Sequence, residues 1–249
     1  MISIAGSAFP SSIPTENSRP EILRSTITLS PCFLTSASAA SILSSLSTIE
    51  TPTLEPQEIG LPLRGLCYGE EGFRHFFFKS EVKSLEDLKG LKIRVSSDPV
   101  MTGMVTDLGA SATTVPFTEL YSALNTGVVD GAEQPTANYR SNAFQEVAPY
   151  LLLDGHTLGA LQIIITDAAW AKLSEEQQGF VMEAAQYASQ VCREKVAEIE
   201  AKTFELLAED GATVIEVEDK APWVEACQPT IQANTAALAD LYQQILDMQ

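Results

Sequence analysis

Leu91, Ile93 and Val95 alternate with Lys92 and Arg94. That period of two predicts a short strand with one buried face. Around it the pattern switches to helical spacing. Ser84, with Asp87 three residues later, predicts a capped helix that stops at Gly90. Asp98-Pro99 opens another, an acidic cap followed by proline at the first helical position, and this one runs to Gly109. Residues 113–117 read as a second strand. Thr118 caps a helix carrying Leu120, Ala123 and Leu124 that ends at Gly127. Residues 128–134 read as a third strand, and Pro135 introduces a helix to about Val147. Strands alternating with helices predict an open, mainly parallel α/β sheet.

Farther along, the apolar and branched stretch 158–166 reads as a strand. Ser174 and Gln177 form a capping box. The helix they open extends to about Glu209, with Phe180, Ala184, Tyr187, Val191, Ile199 and Leu206 expected on its buried face. At 1.5 Å per residue it reaches roughly 50 Å, long enough to serve two domains. Residues 213–217 predict a further strand, and 222–247 a closing helix packed through Trp223, Ile231, Leu238, Leu241 and Ile245. Before about residue 58 there is no sustained periodicity. Segments such as Ser36-Ala37-Ser38-Ala39-Ala40-Ser41 read as low-complexity linker.

Charge narrows the function. The 249 residues carry a formal net charge of −18, the wrong sign for a nucleic acid or an anionic membrane surface. An anionic ligand is repelled at long range, so any site for one needs dedicated local arginines. No run has the length and apolarity of a transmembrane helix. The start of the chain lacks the basic and apolar regions of a signal peptide. The four cysteines, Cys32, Cys67, Cys192 and Cys227, contain no CxxC pair, and His75 and His156 are the only histidines. No metal site and no cofactor are expected. A Cys192–Cys227 disulfide is left open.

Open α/β sheets bind ligands beyond the carboxyl ends of their strands. Arg94, Phe117 and Gln134 close three successive strand units, with Arg74 upstream. An arginine fork holds a carboxylate through two charge-assisted hydrogen bonds, an aromatic stacks on a ligand, and a carboxamide orients it. Each residue also has an ordinary reading: Arg94 as a surface ion pair, Phe117 as core, Gln134 as a loop amide, Arg74 as a solvated strand residue. Convergence on one rim favours the anion site. The histidines have no nucleophile in evident partnership, and neither a GxSxG elbow nor a phosphate-binding glycine loop is present.

Gly72-Phe73-Arg74, the stretch from Ser84 to Val95, Leu108-Gly109-Ala110 and the stretch from Pro116 to Gly131 resemble the solute-binding subunit of tripartite ATP-independent periplasmic (TRAP) transporters, the dicarboxylate-binding-protein family. His156, Trp170, the 173–178 segment and the long helix fit as well, so the resemblance covers roughly residues 60–248. It implies a two-lobed, periplasmic-binding-protein-like α/β receptor that closes on a small organic carboxylate. Such a receptor is periplasmic, monomeric, non-enzymatic and without a cofactor, and it delivers its ligand to membrane subunits. The family's carboxylate-binding arginine falls on Arg94, a second pocket arginine on Arg74 and the packing aromatic on Phe117. Gln134 stands where the family usually has asparagine, and Ser96 where it often has proline. The implied division is 72–160 with 200–249 as lobe II, 59–71 with 161–199 as the remainder of lobe I and the long helix, and 1–58 as a divergent or poorly ordered segment. The first lobe is thus expected to be incomplete. The competing expectations are an α/β enzyme acting on a carboxylate and a truncated remnant without ligand binding.

Overall fold

The hydrophobic runs of the chain meet in one six-stranded sheet with helices on both faces. The computed structural model describes residues 63–236 and 239–246; the expectation for 1–58 lies outside them. The strands are β1 (Leu63–Phe78), β2 (Lys92–Val95), β3 (Ser111–Thr114), β4 (Gly131–Pro135), β5 (Tyr150–Thr166) and β6 (Thr213–Glu216), in the order β3-β2-β4-β1-β5-β6. The helices are α1 (Leu85–Leu88), α2 (Pro99–Asp107), α3 (Leu120–Thr126), α4 (Thr136–Ser141), α5 (Asp167–Trp170), α6 (Glu175–Glu209), α7 (Ala221–Ala226), α8 (Gln228–Thr235) and α9 (Ala239–Leu246).

The expected alternation holds on one side of the sheet, where β2 runs parallel to both β3 and β4. The sheet as a whole is mixed rather than mainly parallel. β1 is antiparallel to β4 and β5, while β5 and β6 are parallel. The long pair β1–β5 extends from Leu63↔Thr166 to Phe78↔Tyr150 with three register shifts. The sequence pattern assigns only 158–166 to β5 and no strand to 63–78. Phe76, Phe77 and Phe78 are all fully buried, because helices cover both faces there. A strand buried on both faces loses its period of two, and each bulge resets the alternation elsewhere.

Two apolar layers flank the sheet. One joins Phe76, Phe78, Ile93 and Val95 to Met101, Met104, Trp223 and Ile231. The other joins Phe77, Ala132 and Leu151 to Leu120, Leu124, Tyr139, Phe144 and Leu207. Local signals position the helices as anticipated. The Asp87 carboxylate accepts from the Ser84 N–H at 2.9 Å, Asp98 Oδ1 accepts from the Val100 N–H at 2.8 Å, and Ser174 with Gln177 closes the capping box of α6.

Three helical expectations are corrected. The helix expected over 135–147 ends at Ser141. Ala143 is left-handed (φ 57°), and Phe144–Glu146 form a separate 3-10 turn. The closing helix is divided, with α7 and α8 meeting at Cys227, where Pro229 in the first turn of α8 removes an N–H donor. α6 has the expected 35 residues but turns a different face inward. Its buried residues are Ala185, Ser189, Thr203 and Leu207, while Phe180 and Tyr187 are 60% and 69% exposed. The reason is close backbone approach. Ser189 Oγ donates to the Tyr68 carbonyl at 2.6 Å and Cys192 Sγ to that of Glu70 at 3.3 Å, which favours small residues facing β1. Cys192 and Cys227 are not bridged: Cys227 is buried in the layer that holds Trp223. Among the described residues no helix is long and apolar enough to cross a membrane.

Candidate functional site

The parallel β2 and β4, in register at Ile93↔Gly131, open their carboxyl ends on the same rim. Arg94 lies near the end of β2 and is only 5% exposed. Its Nε donates to the Val115 carbonyl just after β3, at 2.9 Å. Its guanidinium carbon lies 6.0 Å from the centre of the Phe117 ring, the outer limit of a cation–π contact. Phe117 begins the 3-10 turn Phe117–Glu119 instead of ending a strand. It is 44% exposed and rests edge-on against Phe144, with ring centres 6.0 Å apart. The structure therefore brings Arg94 and Phe117 together. Gln134, on β4 and buried, is paired across the sheet with His75.

Arg74 is placed differently. It pairs with Pro135 across β1–β4, and its guanidinium is turned onto Glu133, Nε to Oε2 at 2.5 Å and Nη2 to Oε1 at 3.0 Å. Glu133 is fully buried. His156 Nε2 approaches the same Oε2 at 3.6 Å, an ion-pair contact rather than a hydrogen bond. His156 Nδ1 meets Asp154 Oδ2 at 2.6 Å, and Asp154 Oδ1 accepts from the Phe76 N–H at 3.0 Å. Gly155 N–H donates to His75 Nδ1.

Buried charges persist only when paired. Burial alone would push Glu133 and Asp154 up. Opposing attraction, from His156 and Arg74 on Glu133 and from His156 and then His75 on Asp154, holds both carboxyls below their ordinary values. Burial would lower His156, but its two acidic neighbours, Asp154 foremost, raise it to about 9. His156 is therefore an imidazolium at neutral pH. Arg94 is pushed down by burial and by Arg74, against the pull of Glu133.

The two arginines thus differ chemically. Arg74 presents its bidentate edge to Glu133. Arg94 is fixed through Nε to a neutral carbonyl, and its Nη groups have no protein acceptor among the described residues. A guanidinium tethered in this way is preorganised to receive a carboxylate. Glu133 is the residue sequence reasoning missed. The available signal was a lone glutamate inside β4, a strand buried along its whole length, where a carboxylate requires a cation.

Beside the rim lies a cavity between α4, the middle of α6 and β1, lined by Glu71, Thr136, Asn138, Val196, Ile199 and Glu200. None of Arg74, Arg94, Phe117 or Gln134 lines it, but Thr136 stands two residues beyond Gln134.

Comparison with known proteins adds three findings. The family described as bacterial extracellular solute-binding protein, family 7, matches residues 53–237. A solute-binding protein of Roseobacter denitrificans is 34% identical over 174 residues, covering 70% of this chain and 53% of its own; the chain spans about half the length of that relative. Solved structures are similar as well. A TRAP periplasmic solute-binding protein of Bradyrhizobium in complex with D-galacturonate has a TM-score of 0.75 at 32% identity, covering 84% of this chain and 70% of the other. One of Pseudomonas putida with bound D-glucuronate has a TM-score of 0.70 at 31% identity, covering 83% and 64%.

Proposed function

This chain belongs to family 7 of the bacterial extracellular solute-binding proteins, and on that premise we propose that it is the periplasmic receptor of a TRAP transporter, binding a small organic carboxylate and handing it to the membrane subunits. Arg94 anchors the carboxylate, Phe117 packs on the ligand, Gln134 orients it, and Arg74 acts from behind through Glu133. The described parts of 72–160 with 200–249 form one lobe; those of 59–71 with 161–199 supply the long helix and part of the other. The ligand lies between them, and closure is a ligand-driven population shift.

The observation that carries this reading is the state of Arg94. It is buried, tethered to the Val115 carbonyl and near Phe117 at the open end of parallel strands. In a protein of net charge −18, such a cation is a local reversal of field aimed at an anion. The galacturonate and glucuronate held by the similar structures support sugar acids as the class to try first. Thermal denaturation with a panel of D-galacturonate, D-glucuronate and unsubstituted short acids tests it. A ligand at 100 times its Kd should stabilise the folded chain by about 2.7 kcal/mol. An unchanged melting temperature with every acid would remove this function.

A further inference from the structure

The cavity beside the rim carries chemistry that the carboxylate anchor does not use. Thr136 is 2% exposed, and its Oγ1 has no hydrogen-bond partner among the described residues. A buried hydroxyl without a partner is costly and rare. It lines the cavity and follows directly on Pro135 at the carboxyl end of β4, so a ligand extending along that rim would supply the missing partner.

The other polar groups there are mostly acidic. Glu71 and Glu200 bring two carboxylates and Asn138 an amide. Burial raises Glu200 above its ordinary value, with His75 opposing. Val196 and Ile199 of α6 supply apolar wall between the polar groups. Arg74 faces Pro135 across β1–β4, so Glu71, just before Arg74 on β1, and Thr136, next after Pro135, lie past the same strand end, and cavity and anchor share one polar rim. Its two ends are opposite in character. At one end a guanidinium keeps Nη donors for an anion. At the other, carboxylates accept hydrogen bonds and repel negative charge. Arg74, already bidentate to Glu133, offers little to a second acid group.

Resting on the receptor reading above, we infer that the cavity of Glu71, Thr136, Asn138 and Glu200 is the subsite that reads the hydroxyl groups of the ligand. The receptor is thereby selective for acids with one carboxylate and a polyhydroxylated tail, and it rejects dicarboxylates of the same length. Rejection comes from placing a second negative charge against Glu71 and Glu200, and recognition from hydroxyls that satisfy Thr136 and the acids.

Calorimetric titration of the full chain with three matched six-carbon acids tests this: D-galacturonate, galactarate (the same skeleton with a second carboxylate) and hexanoate (no hydroxyls). Galacturonate should bind at least about tenfold more tightly than either of the others, the ratio expected when hydrogen bonds worth about 1.4 kcal/mol are lost or a like charge is faced. Thr136→Val and Glu200→Gln are near-isosteric, and their melting temperatures report whether the fold is kept. Each should weaken galacturonate by about tenfold while leaving hexanoate unchanged. The double change Glu71→Gln with Glu200→Gln should bring galactarate closer to galacturonate. Galactarate binding as tightly as galacturonate overturns the inference. So does undiminished galacturonate affinity in folded Thr136→Val and Glu200→Gln, even if Arg94 proves essential, in which case the receptor reading stands and only the subsite falls. Absence of binding by every acid overturns both.

Discussion

At the residue scale, Glu133 organises the site from beneath. It is fully buried between the Arg74 guanidinium and His156, and without it two cations would face each other with no carboxylate between them. Glu133→Ala should lower stability by roughly 3–5 kcal/mol, the usual cost of breaking a buried ion pair from one side; urea denaturation measures it. A loss below about 1 kcal/mol, the range of an exposed pair, would mean that the network carries no load. The same cluster sets the pH response. Because His156 is raised to about 9 from an ordinary 6.5, its contribution is complete below 6.5 and is lost as pH rises toward 9. Because Glu133 and Asp154 are lowered from 4.5 and 3.8, theirs is complete above those values and is lost as pH falls below them. The melting temperature should therefore be highest between about pH 4.5 and 6.5. Its alkaline decline, on the order of 3 kcal/mol, should flatten in His156→Gln. An identical alkaline slope in that variant would assign the decline to other groups.

At the scale of elements, β4 pairs antiparallel with β1 while it meets β2 in parallel. Gly131 makes this junction fit. A Cβ there would lie 2.7 Å from the Phe77 carbonyl oxygen and collide with the Phe78 ring. Gly131→Ala should destabilise by about 1–3 kcal/mol, as overpacking in a rigid core does; a neutral change would mean that the sheet relaxes there at no cost. The legibility of elements follows the same physics. β2 is readable because Lys92 is exposed opposite Ile93, and α2 because Asp98 and Pro99 mark its start. β1 is not readable because Phe76 to Phe78 are buried on both faces and bulges interrupt the rest. The inward face of α6 was hidden because close contact with β1 selects Ser189 and Ala185 over the larger Phe180 and Tyr187. Of the candidate site, Arg94 and Phe117 are legible from their places at or just past the ends of consecutive strands. The capture of Arg74 by Glu133 is not, since only the antiparallel register of β1 on β4 puts the two together.

At the scale of the molecule, the proposed receptor carries a net charge of −18 and concentrates its affinity for an anion in one buried arginine. Sequence spacing and the tether to Val115 bear on the same residue. The direct measurement is calorimetric titration of D-galacturonate into the wild-type chain and into Arg94→Ala, each first shown to be folded by its melting transition. Saturable binding by the wild type and a loss of at least about a hundredfold in the variant, the scale of a charge-assisted bidentate contact of about 3 kcal/mol, is the predicted result. Equal affinity of the two folded proteins would contradict it.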